Sequence, residues 1–184
     1  MRMLFLASRF PYPPLKGDQV RAYHQLRLLA RRHEITLVAF AGSESDGSYC
    51  QQLAGFCARI VTIDTSRLHA VRNGVRNMFT RYPVQTMLYR SKQMDDAVQR
   101  LFAEGLLELA HVQLARMAPY LEHARSLPRV IDLIDALSLN MQRRYARDKS
   151  PLRYAAYLEW QRMAQYERQI CQRYNRATVV SALD

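Results

Sequence analysis

At 184 residues, 49% of them hydrophobic, the chain is long enough for one well-packed domain, and its composition is ordinary for a globular protein. The formal net charge of +11 comes from 27 basic residues, 24 arginines and three lysines; such a surplus attracts nucleic acid, anionic lipid headgroups or phosphorylated substrates. Cys50, Cys57 and Cys171 form no CxxC pair and have no histidine at metal-ligand spacing, so neither a disulfide framework nor a zinc site is indicated, and a reducing cytosol is the expected compartment.

The opening run, residues 3–8, is too short for a signal peptide and breaks at Arg9 without a small-residue cleavage site, so it reads as a strand. Further strand-length apolar runs follow at 35–41, 59–64, 107–113, 130–135 and 178–181. Helical patterns alternate with them. Residues 19–32 carry Ala22, Leu26, Leu29 and Ala30 on one face, with Asp18 available as N-cap. Helices are also expected at 46–56, 66–80, 91–104 and 115–125. From Leu137 onward the pattern is long helix, divided at Ser150-Pro151, with Leu152, Ala156, Trp160, Met163, Ile170 and Tyr174 as the apolar stripe of the second piece. Alternation of this kind predicts an α/β domain: a Rossmann-like open, mostly parallel sheet with helices on both faces. No apolar stretch approaches bilayer length, so any membrane contact is peripheral.

Ligands of open parallel sheets bind beyond the carboxyl ends of the strands. The loop after the first strand, Arg9-Phe10-Pro11-Tyr12-Pro13-Pro14-Leu15-Lys16-Gly17-Asp18, is stiffened by proline and ends in a basic residue and a glycine at a helix start. Backbone N–H groups, the helix dipole, Gly17, Lys16 and Arg21 one turn on could cradle a phosphate; the alternative is a rigid loop with an ordinary cap at Asp18. The loop is neither a Walker loop nor G-x-G-x-x-G. Asp135, at the carboxyl end of a central strand, is the candidate for hydrogen-bonding a substrate hydroxyl or handling a proton, against a plain helix-capping role. Asp132 is expected within that strand, paired with an arginine. Arg116 and Tyr120 follow the fourth strand and are candidates to face the cleft. His111 falls in an apolar strand pattern, where a structural histidine is the commoner outcome. No metal-binding pair is present at Asp132 and Asp135.

Read in order, Ser8-Arg9-Phe10-Pro11-Tyr12-Pro13-Pro14, Gly17-Asp18, Arg21-Ala22-Tyr23-His24, Met117-Ala118-Pro119-Tyr120, Val130-Ile131-Asp132-Leu133-Ile134-Asp135 and Tyr166-Glu167-Arg168 resemble the amino-terminal domain of glycosyltransferase family 4 proteins. The similarity is greatest to the exopolysaccharide/PEP-CTERM-associated sugar transferase group. The resemblance implies the N-terminal, acceptor-side half of a GT-B fold over residues 1–184, with the donor-binding domain absent from the chain. It further implies a retaining, metal-independent transferase moving sugar from a nucleotide-sugar donor to a saccharide or lipid-linked acceptor in polysaccharide biosynthesis. No cofactor is expected beyond the donor. On this reading Asp135 is catalytic, and Arg9, Lys16, Gly17, Asp18, Arg21 and Arg116 bind substrate. The expected location is the cytoplasm, with peripheral contact at an anionic inner membrane face through Arg67, Arg72 and Arg76 of the 66–80 helix and the adjoining Arg81, or through residues 142–147; for both stretches a charged face in water is the alternative and the commoner outcome. A basic α/β module binding nucleic acid is the alternative, motivated by the charge and by the arginines and tyrosines of 143–153; no specific nucleic-acid motif accompanies them.

Overall fold

The computed structural model describes residues 1–42, 47–64, 82–124 and 126–180. The helix expected at 66–80, with its basic face, lies outside them. Six strands form one sheet: β1 (Arg2–Ala7), β2 (Glu34–Ala41), β3 (Arg59–Asp64), β4 (Leu109–Gln113), β5 (Arg129–Ile134) and β6 (Arg176–Val179). Their order is β3-β2-β1-β4-β5-β6 and every neighbouring pair is parallel. The chain therefore begins at the centre, winds outward to β3, then returns to lay β4 on the other side of β1. That reversal opens a crevice above the carboxyl ends of β1 and β4.

Among the described residues six α-helices connect the strands: α1 (Gly17–Leu29), α2 (Gly47–Leu53), α3 (Val84–Leu88), α4 (Lys92–Ala103), α5 (Leu137–Arg147) and α6 (Arg153–Arg173). A 3-10 helix spans Ala115–Leu121. Side chains alternate across each strand, so the sheet feeds two cores. Leu4, Leu6, Ala110, Val112, Ile131 and Leu133 pack with α4, the 3-10 helix and α6. On the other face Phe5, Ala7, Ile35, Leu37 and Ala39 pack with Ala22 and Leu26 of α1 and Leu53 of α2. Helices thus cover both faces, and the near-continuous apolar runs of β1 and β2 are those of doubly covered strands. Each wholly buried side chain such as Leu6 or Leu37 contributes about 1.5–3 kcal/mol.

Several boundaries differ from expectation. Helix α1 is capped at Lys16, whose backbone is extended and whose N–H donates to Gln19 Oε1 at 3.2 Å. Asp18 sits inside the first turn. The expected helix after β4 is a 3-10 helix because Pro119 has no N–H and cannot continue an α ladder. Helix α3 has five residues, too few for an apolar period to register. Its amino end is held by α6, where the Glu159 carboxylate accepts from Val84 and Gln85 N–H, both at 3.0 Å. The apolar stripe of α6 is buried from Ala156 through Met163, Tyr166 and Ile170, whereas Leu152 is exposed.

His111 is structural, as its strand pattern implies. It is buried in β4 and stacks on Phe5 of β1 at 4.6 Å between ring centroids. Burial lowers its pKa from 6.5 to about 4, with Asp132 opposing and Arg21 reinforcing the fall. Between those two values the unfolded chain binds a proton at this ring that the folded chain does not. The stability it confers is therefore complete above pH 6.5 and declines as pH falls towards 4, by up to about 3 kcal/mol. Urea unfolding at pH 7.5 and pH 5 is expected to show about 2 kcal/mol of this loss, and a His111→Phe chain should show a visibly smaller one.

Candidate functional site

The crevice above the reversal is a cleft of about 900 Å³. The loop after β1 and the first turns of α1 form one wall through Arg9, Gly17, Asp18, Val20, Arg21 and His24; Leu114 and Arg116 after β4, and Ile134, Asp135, Leu137 and Asn140 after β5, form the other. Of the sequence-derived candidates, the fold brings Arg9, Gly17, Asp18, Arg21, Arg116 and Asp135 together here. Lys16 is exposed and does not line the cleft. Tyr120 is core: its hydroxyl donates to Tyr89 O and accepts from Ser91 N–H, and burial pushes its pKa above the ordinary phenol range.

Beneath the cleft lies Asp132, with no solvent exposure. Alternation points it to the α1 side of β5, between Ile131 and Leu133, which enter the opposite core. Arg21 and Gln25, one helical turn apart, reach it from α1: Arg21 Nε and Nη2 donate at 2.5 and 3.1 Å, and Gln25 Nε2 at 2.6 Å. The same carboxylate accepts from Ile134 N–H at 3.2 Å, and the Asp132 carbonyl accepts from Leu114 N–H at 2.7 Å. Burial pushes the Asp132 carboxyl up, and the donors from Arg21, Gln25 and Ile134 reverse this and leave it below the usual carboxylate range.

Leu114 and Ile134 both have left-handed backbones, with φ of 71° and 61°. A non-glycine residue in that region costs roughly 1–3 kcal/mol and persists only where its surroundings enforce it. Here Asp132 pins both, one through its carbonyl and the other through its side chain. The consequence is that β4 and β5 turn sharply at the floor of the cleft. Two further ties hold α1 in register: Gln113 Nε2 donates to Asp18 O at 2.9 Å, and Arg9 Nη1 donates to the Asp18 carboxylate at 3.0 and 3.2 Å.

The remaining groups are open to a ligand. Asp135 is exposed and does not cap α5. That cap comes from Glu167 of α6, buried, whose carboxylate accepts from Ser138 N–H at 3.3 Å and Ser138 O–H at 2.5 Å. Burial raises the Glu167 pKa against these hydrogen bonds. Arg116 lies 4.6 Å over the Tyr89 ring, and among the described residues its buried Nε has no hydrogen-bond partner. A Cβ added at Gly17 would meet only open space, so packing does not require this glycine. The described residues hold no group of three metal-ligating side chains.

Sequence reasoning missed Gln25, Gln113 and the two left-handed residues. The Arg21/Gln25 spacing of four on an expected helix was the available signal; nothing in the letters marks Leu114 or Ile134.

No protein-family model matches the chain, and no curated protein does. Among solved structures, a short-chain dehydrogenase/reductase (wide type) from Veillonella parvula DSM 2008 in complex with NADP is similar, at 11% identity, over 97% of this chain and 67% of that one, with a TM-score of 0.40. That degree of likeness transfers no activity or ligand. The expected family is corrected: no family model or curated protein matches the chain, and the solved structure found is a dehydrogenase/reductase holding NADP, not a glycosyltransferase. Membership of glycosyltransferase family 4, sugar transfer as the activity, a role in polysaccharide biosynthesis and the expected lack of a cofactor beyond a nucleotide-sugar are withdrawn. The nucleic-acid alternative gains no support from them either. The physical reason lies in the motifs that carried the resemblance. Met117, Ala118, Pro119 and Tyr120 are buried in the 3-10 helix, Ile131 and Leu133 are core, and Tyr166 and Glu167 are packed between helices. These residues specify an α/β core and carry no site chemistry.

Replacing Asp132 by Asn keeps the shape and removes the charge that Arg21 and Gln25 converge on. We expect a destabilisation of about 3 kcal/mol at neutral pH. Because the Asp132 pKa is depressed in the fold, that difference is present above the usual carboxylate range and vanishes as pH falls through the folded value. Urea unfolding of both chains from pH 7 to pH 3 checks the magnitude and the sign.

Proposed function

We propose that this chain binds a small molecule bearing a phosphate or comparable anionic group, with the anion at Arg116 and the amino end of α1 and hydrogen-bond donors such as hydroxyls at Asp135. One observation carries the reading. Of the three arginines lining the cleft, Arg9 and Arg21 have carboxylate partners, whereas Arg116 pairs with none among the described residues. A cation held over an aromatic ring at the mouth of a crevice is placed for an incoming anion. The open space at Gly17 lets a ligand approach the helix backbone, where free N–H groups and the dipole favour negative charge. Val20, Leu28, Leu137 and Val180 supply an apolar wall for the rest of such a molecule.

The G-x-G-x-x-G fingerprint is absent from the turn after β1, so a dinucleotide pyrophosphate would not find its usual glycine seat there. A single sheet drawing strands from both ends of the chain supports reading residues 1–184 as one domain. Among the described residues no helix is long and apolar enough to cross a membrane. Three free cysteines support a reducing, cytosolic compartment.

Calorimetric titration with ADP, inorganic pyrophosphate and adenosine tests the assignment. ADP is expected to bind more tightly than adenosine, with pyrophosphate retaining part of the affinity. Arg116→Gln should weaken ADP binding by roughly ten- to a hundredfold, the equivalent of one charge-assisted hydrogen bond, and leave the cooperativity of thermal unfolding intact. Failure of ADP and pyrophosphate to bind at millimolar concentration, or an Arg116→Gln chain that binds ADP as the parent does, overturns the reading.

A further inference from the structure

Helices α5 and α6 form an antiparallel hairpin. Tyr145 of α5 meets Tyr157 and Trp160 of α6 at 5.2 and 6.4 Å between ring centroids, and Arg153 lies 4.7 Å over the Tyr145 ring. The hairpin is anchored at one end only. In α5 just Leu137 and Ser138 are buried, and α6 buries nothing before Ala156. The tip therefore stands clear of both cores.

Its surface is unusual for a solvated turn. Leu152, Tyr154 and Leu158 are 64%, 67% and 55% exposed, with Tyr157 beside them at 39%. Between residues 142 and 158 the chain carries Arg143, Arg144, Arg147, Lys149 and Arg153 against a single acid, Asp148. Asp148 accepts from Ser150 N–H at 2.8 Å, two residues on. The next acid, Glu159, is committed to the amino end of α3. Five cations thus surround a projecting apolar and tyrosyl patch with almost no opposing charge.

We infer that this tip docks on an anionic lipid surface, with Leu152, Tyr154 and Leu158 entering the boundary between headgroups and acyl chains and the arginines pairing with lipid phosphates. Three kinds of surface could meet this patch. A second copy would bring five cations against five, which repels. Nucleic acid would satisfy the arginines and leave the two leucines in water. An anionic bilayer satisfies both halves of the patch: apolar side chains partition into it, tyrosine favours its interface, and each nearby Lys or Arg adds attraction. The inference concerns a surface apart from the cleft and does not depend on what the cleft binds.

The test is co-sedimentation of the 184-residue chain with vesicles of phosphatidylcholine alone and of phosphatidylcholine mixed with phosphatidylglycerol, at low and high salt. Binding is expected to the mixed vesicles and to weaken with salt. Arg143→Gln, Arg144→Gln and Arg147→Gln combined should lower partitioning by about fivefold per residue, on the order of a hundredfold together. Leu152→Ser, Tyr154→Ser and Leu158→Ser combined should abolish it while circular dichroism and thermal unfolding stay unchanged, since all three side chains are exposed. Equal binding to neutral vesicles, no binding to charged ones, or retention by either triple variant overturns the inference. So does a dimer in light scattering that the serine variant dissolves, or RNA held in preference to vesicles.

Discussion

One buried carboxylate organises the region where the sheet reverses. Asp132 has no access to water, and an isolated charge there would cost several kcal/mol. It is tolerated because Arg21, Gln25 and the Ile134 amide all donate to it. The arrangement fixes three things together: the rotation of α1 about its axis, the height of α1 above β5, and the left-handed turns that end β4 and β5. None of these can change alone. A leucine at 132 would release the Ile134 amide and leave Arg21 without its partner. The polar seam therefore fixes a defined geometry at the cleft, and its buried charge contributes stability at neutral pH.

The same seam explains what was legible in the letters. Fold class was readable because β1, β2 and β5 are apolar on both faces and alternate with helical periods, and only a doubly covered parallel sheet accepts that pattern. Asp132 within β5 was visible as an exception inside an apolar run. Its partners were not, since they lie more than 100 positions away in sequence and pairing across the sheet depends on strand order. The cap of α1 was misplaced by two residues because Asp18, the better capping side chain, is taken by Arg9. Asp135 kept its place at the strand end but lost the capping role, which a buried glutamate from α6 fills from outside the local sequence.

The overturned family resemblance follows from the same physics. A parallel-sheet domain needs a buried strand followed by a turn at each crossover, and it needs aromatic and small residues where a 3-10 helix meets a long helix. Val130 to Ile134, Met117 to Tyr120 and the Tyr166-Glu167 pair meet those needs. Motifs drawn from packing recur wherever the packing problem recurs, so their order along the chain reports architecture. Chemistry is reported by residues that packing does not require, and in this cleft those are Arg116, Asp135 and the glycine at 17.

Helix α5 joins the two surfaces on which the functional argument rests. It begins in the cleft, where Leu137 and Asn140 line the wall, and its 11 residues end among the cations of the hairpin tip. At 1.5 Å per residue that is a rod of about 16 Å. Its first turn is clamped by Glu167 and its last by the Tyr145, Tyr157 and Trp160 cluster, so it has little freedom to bend between them. Any surface that seats the tip thereby sets the orientation of the cleft mouth relative to that surface. A clamped helix with a ligand wall at one end and a docking patch at the other converts attachment into alignment, with no moving part required.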